Sequence, residues 1–119
     1  MKYFIILLGL SLMQINCDGQ TCTDLPNRFS SYNYAIKIIK KADFAFIDYL
    51  TSSSSSWITS ANYYSCDNVK GYFIYTTIKG GKYIHADVPK YIWTGFKNAS
   101  SNGSFYNRYI KGRYRLPLN

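Results

Sequence analysis

The residues able to do chemistry in this chain are few, and most of them argue against catalysis. There is one histidine, His85, no glutamate, and only six acids, all Asp. A nucleophile needs a neighbouring base, and Cys66 with His85 is the one conceivable pair. Paired carboxylates of the glycosidase type have no evident site, because Asp67 sits in a turn and Asp87 just ahead of a helix start. Three cysteines and one histidine without CxxC or HxxxH spacing do not make a metal-ligand set. Aromatic side chains beside cations point instead to binding. Tyr83 and His85 stand two apart in a strand-like run, close to Lys79 and Lys82. Stacking on a sheet face with flanking cations suits bases or sugars of a charged polymer. The chain is therefore read as a non-enzyme without metal or cofactor.

Charge supports that reading. Lys and Arg total 14 against 6 acids, a net charge of +8. Beyond Asp87 there are cations (Lys90, Lys97, Arg108, Lys111, Arg113, Arg115) and no acid at all. Such asymmetry favours polyanionic partners, and Arg108, Lys111, Arg113 and Arg115 are the candidate contacts to phosphate or carboxylate groups. The expected partner is RNA or an anionic glycan. The alternative is a solvated basic tail on an envelope module that engages another protein or only builds structure. Large aromatics usually pack, so the face carrying Tyr83 and His85 has an alternative role as core beneath the N-terminal segment. The sequence leaves the oligomeric state open.

The beginning of the chain reads as a targeting segment. Lys2 precedes the apolar run Tyr3–Met13, too short for a span of roughly 20 residues and laid out as an export signal over residues 1–17. Gln14-Ile-Asn-Cys17 resembles a loose bacterial lipoprotein box, which makes Cys17 a candidate for lipidation and membrane anchoring; ordinary cleavage nearby is the alternative. The protein is thus expected to be exported, either secreted or lipid-anchored in a bacterial envelope. With Cys17 set aside, Cys22 and Cys66 are left to pair in an oxidising compartment. A Cys17–Cys22 bond or free buried thiols are the alternatives.

The elements that must position these residues follow from pattern. Ser30 and Ser31 can cap a helix whose apolar face is Tyr32, Ala35, Ile36 and Ile39. Phe44–Leu50 is aromatic and branched enough for a strand. The serine run Thr51–Ser56 reads as a flexible connector and a subdomain boundary. Strands are expected at 57–66, 72–78 and 83–88, with Gly80-Gly81 as a two-residue turn. Pairing Lys79 with Lys82 then places Phe73, Tyr75 and Thr77 with Ile84, Ala86 and Val88 on the face that meets the helices. Tyr72, Ile74, Thr76, Tyr83 and His85 fall on the other face. Helices follow at 89–100, opened by Pro89, and at 104–111, capped by Ser104 and ended by Gly112. The fold class is α+β: a three-stranded antiparallel meander followed by two short helices, preceded by an N-terminal helix-strand extension over residues 18–52.

Several segments together resemble the KTSC domain, a module named for its place at the C-terminus of some lysyl-tRNA synthetases. They are the serine-rich start before Ile58, the aromatic hairpin, Val88-Pro89, the helix-linking Ala99–Asn107 and the closing Ile110-Lys-Gly-Arg-Tyr114. The likeness runs from about Ser53 to Tyr114, which bounds a KTSC-like domain at residues 53–119. It departs at the family's central Tyr-x-Tyr, which is Tyr83-Ile84-His85 here. The resemblance implies a fold and a boundary and names no reaction; RNA binding is the activity suspected of the family. Cys22–Leu50 looks like the extension of exported bacterial members.

Overall fold

A computed structural model describes residues 20–119; the segment read as an export signal, with Cys17, lies outside them. The class is α+β. After a short 3₁₀ turn at Cys22–Asp24 come α1 (Tyr32–Lys41), β1 (Phe46–Leu50), β2 (Ile58–Ser65), β3 (Lys70–Thr77), β4 (Lys82–Pro89), α2 (Lys90–Asn98) and α3 (Asn102–Tyr109). The sheet has four antiparallel strands in the order β1-β2-β3-β4, one more than the expected meander. The extra member is the strand of the N-terminal extension. Phe46 pairs with Ser65 and Leu50 with Ala61, so the extension is built into the sheet.

Both faces of this sheet are apolar, and each is covered. Tyr64, Ile74, Ile84 and Ala86 face α1, whose Ala35, Ile36 and Ile39 are buried against them along with Phe29 and Leu116. Tyr63, Phe73, Tyr75 and Val88 face α2 and α3 through Trp93, Phe96, Tyr106 and Ile110. Helix α1 presents its apolar stripe because Ser31 accepts the Tyr34 amide at 3.0 Å and starts the helix in the right phase. The Trp93 ring stacks on Tyr63 with centroids 5.4 Å apart. The Trp93 indole N–H and the Lys97 ammonium both donate to Asp48, at 2.9 Å each, and so tie α2 to β1. Burial pushes the Asp48 carboxyl up, but those donors and the Tyr49 amide outweigh it and hold the group below its ordinary range.

The β3–β4 connection differs from expectation in a way that moves every side chain of β4. The turn is Ile78-Lys79-Gly80, closed by the Gly80 amide on the Thr77 carbonyl (2.8 Å) and the Thr77 amide on the Gly81 carbonyl (2.9 Å). Gly80 stands at φ 90, the left-handed position of a three-residue hairpin loop. Thr76 therefore pairs with Lys82, Tyr75 with Tyr83 and Phe73 with His85. This shifts the expected register by an odd number of residues, which exchanges the faces of β4. Tyr83 and His85 lie with Phe73 and Tyr75 toward α3, whereas Ile84 and Ala86 lie toward α1. Asp87, at φ 57, is an extra residue in the strand. It returns Val88 to the α2 side.

The serine run is also not the expected flexible connector. Asn102 is buried and its side-chain oxygen accepts from the Ser53 hydroxyl (3.0 Å), the Ser54 amide (2.7 Å) and the Ser54 hydroxyl (2.9 Å). Its amide group donates to the Phe96 carbonyl at the end of α2 (2.7 Å). Gly103 permits this docking, since a Cβ there would stand 2.6 Å from the Trp57 ring nitrogen and 2.7 Å from the Ser55 hydroxyl. The cap of α3 is Ser101, which accepts the Ser104 amide, and not Ser104 as expected.

Cys22 and Cys66 form a disulfide with Cα atoms 5.8 Å apart. It clips the 3₁₀ turn to the end of β2 and closes a loop 44 residues long. In the chain-entropy account that constraint is worth about 4 kcal/mol. Replacing both cysteines by serine should lower unfolding stability by about 3–4 kcal/mol in urea titration with the native fold retained. Asn102→Ala should cost about 1–3 kcal/mol, because it leaves several inward-facing donors and one carbonyl without a partner. Amide exchange across Ser53–Ser55 should accelerate in the same variant.

Candidate functional site

A cleft of about 530 Å³ opens at the β4 edge of the sheet. It lies between the start of α1 (Ser31, Tyr32, Asn33), the first residues of β4 (Lys82 to His85), Tyr75, Tyr106 and the C-terminal Arg115-Leu116. The edge is open there because the C-terminal segment covers β4 only further along, where the Ala86 amide donates to the Tyr114 carbonyl at 3.3 Å. Tyr32 and Tyr83 are 51% and 52% exposed, so each offers half its surface to a ligand. Tyr83 stacks on Tyr75 with centroids 5.3 Å apart and planes 27° apart. Lys82 and Arg115 supply positive charge, and no carboxylate lines the cleft among the described residues.

Beneath the aromatic walls runs a hydrogen-bond chain. The Tyr75 hydroxyl donates to the Tyr106 hydroxyl at 3.1 Å. Tyr106 stands 2.9 Å from His85 Nε2, and His85 Nδ1 stands 3.0 Å from the Tyr114 carbonyl. A carbonyl oxygen only accepts, so Nδ1 carries a hydrogen. In neutral His85 the other nitrogen, Nε2, is then an acceptor and receives the Tyr106 proton. The chain runs one way, from Tyr75 through Tyr106 to His85, and its hydroxyls are held by burial. Burial pushes both the Tyr75 and the Tyr106 hydroxyl up, so neither ionises in the ordinary pH range. Burial also pushes the His85 imidazole down, against a smaller upward pull from the Tyr114 carbonyl.

The expected binding residues are gathered only in part. Tyr83, His85 and Arg115 meet at the cleft. Arg108 lies on a separate shallow surface with Ser101, Ser104 and Phe105. Arg113 reaches back to the Arg108 carbonyl at 3.1 Å, at the C-terminal end of α3. Lys111 is exposed in the turn after that helix. Tyr72 and Thr76, expected on the face of Tyr83, are on the α1 face. Sequence reasoning missed Tyr32, Tyr75 and Tyr106. Tyr75 and Tyr83 would have been matched by a three-residue turn, but nothing in the sequence spacing joins Tyr32 or Tyr106 to them. Cys66 is bonded to Cys22 and is not brought to His85.

Comparison with known proteins bears on this sheet edge and the two short helices above it. Residues 74–114 match the KTSC domain. The match takes in β3 from Ile74, β4, α2, α3 and Tyr114, and so every cleft residue except those of α1, Arg115 and Leu116. Over that segment the chain is similar to the KTSC domain. The crystal structure of a KTSC domain protein from Yersinia pestis is 29% identical, with 58% of this chain and 92% of that chain covered and a TM-score of 0.49. No curated protein matches the chain.

The buried imidazole makes stability depend on pH. In the unfolded chain His85 takes a proton near pH 6.5; in the folded chain it does so only at lower pH. The unfolded state binds more protons in between, so this contribution is complete above about pH 6.5 and is lost as pH falls through the folded value. Because His85 is the single histidine, and the Asp48 and Asp67 carboxyls are held below their ordinary range, the loss between pH 7 and 5 belongs to His85. Urea midpoints should fall over that window in the native chain, and His85→Gln should flatten the dependence whatever its stability at pH 7.

Proposed function

We propose that the protein is a small exported, non-enzymatic KTSC-domain module that binds a polyanion, RNA or an anionic glycan, at the β4-edge cleft. The observation that carries this reading is the cleft itself: exposed Tyr32 and Tyr83 on its walls, Lys82 and Arg115 at its rim and no acid in its lining. One planar ring or sugar of the polymer packs against the tyrosines, and its charged groups meet the two cations. Arg108, Lys111 and Arg113, displayed at the end of α3, extend the positive surface for the rest of the polymer. The Cys22–Cys66 bond is compatible with an oxidising compartment and supports export.

Binding of this kind is driven by counterion release, so log affinity falls linearly with log salt. Retention on immobilised heparin or on single-stranded RNA should drop steeply with salt. Lys82→Gln with Arg115→Gln should reduce the slope by about one unit for each cation removed. Tyr83→Ala should weaken binding by about 1–3 kcal/mol without changing the slope, since stacking releases no counterions. Absence of retention on either matrix at low salt would remove the polyanion reading.

A second reading, an envelope module that engages another protein, has one observation of its own. Strand β1 is an edge of the sheet with Ile47 and Tyr49 exposed, and it has neither Pro nor Lys to guard it. Concentration-dependent association abolished by Ile47→Lys would favour this reading.

A further inference from the structure

Resting on the cleft as the ligand site, we propose that an anionic oxygen docked at Tyr75 is bound together with one proton, taken up by His85 through Tyr106. The argument is the direction of the hydrogen-bond chain. With His85 neutral, each hydroxyl proton points toward the imidazole: Tyr75 to Tyr106 at 3.1 Å, Tyr106 to His85 Nε2 at 2.9 Å. The other end of the chain is the hydroxyl oxygen of Tyr75, a residue that lines the cleft with only 7% of its surface exposed, and that oxygen then offers only lone pairs. That end suits a donor and repels an anion, although the cleft's charge attracts one.

An anion resolves the conflict only if the chain reverses. Tyr75 then donates to the anion, Tyr106 donates to the Tyr75 oxygen, and His85 Nε2–H donates to the Tyr106 oxygen. Nδ1 keeps its hydrogen throughout, because without it a lone pair would face the Tyr114 carbonyl at 3.0 Å. That carbonyl is fixed in place by the Ala86 amide. Reversal therefore needs both imidazole nitrogens protonated. The balance is one proton from solvent onto Nε2, with the two hydroxyl protons each passing to the other side of its oxygen by rotation. The alternative, in which Tyr75 turns alone to the anion, leaves two hydroxyl oxygens facing each other without a hydrogen at 3.1 Å.

The groups around His85 favour this coupling. They are Phe73 and Tyr75 from β3, Tyr106 from α3, the Tyr114 carbonyl and Arg115 from the C-terminal segment, Tyr32 from α1, and Lys82 and Tyr83 on β4 itself. None is a carboxylate. The empty cleft thus has nothing to balance an imidazolium, and the arriving anion supplies the missing counter-charge. By linkage, the proton tightens the anion as much as the anion tightens the proton.

The test uses the intact chain and a heparin hexasaccharide as the probe. Titration calorimetry at pH 7 in buffers of different ionisation heat should give net proton uptake approaching one per site. The His85 ring resonances should titrate at higher pH when the probe is saturating, and affinity should rise by up to about ten-fold for each unit of that shift as pH falls. Tyr75→Phe keeps His85 and its Tyr106 contact but removes the donor that meets the anion. Proton uptake should fall to near zero in that variant while binding persists through Lys82 and Arg115. Retention of full uptake in Tyr75→Phe would mean that His85 responds only to the field of the anion, and the chain proposal would be overturned. Binding with no proton uptake in the native chain would overturn it too, leaving the polyanion reading intact. No heparin binding between pH 5.5 and 8 would overturn the chain proposal together with the glycan form of the polyanion reading.

Discussion

The turn at Ile78-Lys79-Gly80 governs most of what lies downstream of it. Gly80 holds a left-handed conformation at φ 90 that side-chain-bearing residues adopt only with strain, and the loop it completes has three residues. That length sets Tyr75 against Tyr83 and Phe73 against His85. Because a strand alternates faces with a period of two, one residue more or fewer would send Tyr83 and His85 to α1 and Ile84 and Ala86 to α3. Neither exchange is tolerable. Ile84 would no longer pack on α1, and a histidine would enter a core with no polar partner to receive it.

A sheet covered on both sides needs apolar residues at consecutive positions, and tyrosine meets that demand here while keeping polar atoms satisfied. Tyr63 is fully buried, and its hydroxyl donates to the Val88 carbonyl at 2.7 Å. Tyr64 is buried on the opposite face, where its hydroxyl accepts from Asn62 at 3.0 Å. Tyr75 and Tyr106 satisfy one another and His85. Each ring contributes aromatic packing, and each hydroxyl avoids the penalty of an unpaired buried polar group. The cleft arises where this economy stops, at the β4 edge before the C-terminal segment reaches it.

Much of the local structure was legible because it rests on short-range chemistry. Ser31 heads a stripe at Ala35, Ile36 and Ile39, and a helix forms there. Phe44–Leu50 has strand composition, and a strand forms at Phe46–Leu50. Val88-Pro89 stops the sheet and α2 follows. Most of the segments that resemble the KTSC domain, from Val88-Pro89 through Ala99–Asn107 to Ile110–Tyr114, lie at or beyond the end of β4, where local signals are strongest. The serine run was misread for a long-range reason. Its composition has no means of burying surface, and its order comes from one buried side chain, Asn102, about fifty residues away in sequence.

By itself the sequence determined the class of the fold, the helices and their apolar faces, the excess of cations, and the three cysteines from which a disulfide could be drawn. These depend on residue type and on spacing within one element. The tertiary structure alone decided that β1 joins the sheet, that Cys22 meets Cys66, and that the basic residues divide, Arg115 to the cleft and Arg108 with Arg113 to the end of α3. It also brought Tyr32, Tyr75, Tyr106 and His85 to one edge from four separate segments. The physical reason is register. Whether two aromatic residues on neighbouring strands share a face turns on the parity of a loop length, and either Gly80-Gly81 or Ile78-Lys79-Gly80 can be read as that loop from the sequence. Packing on both faces selects between them, and packing is a property of the assembled sheet.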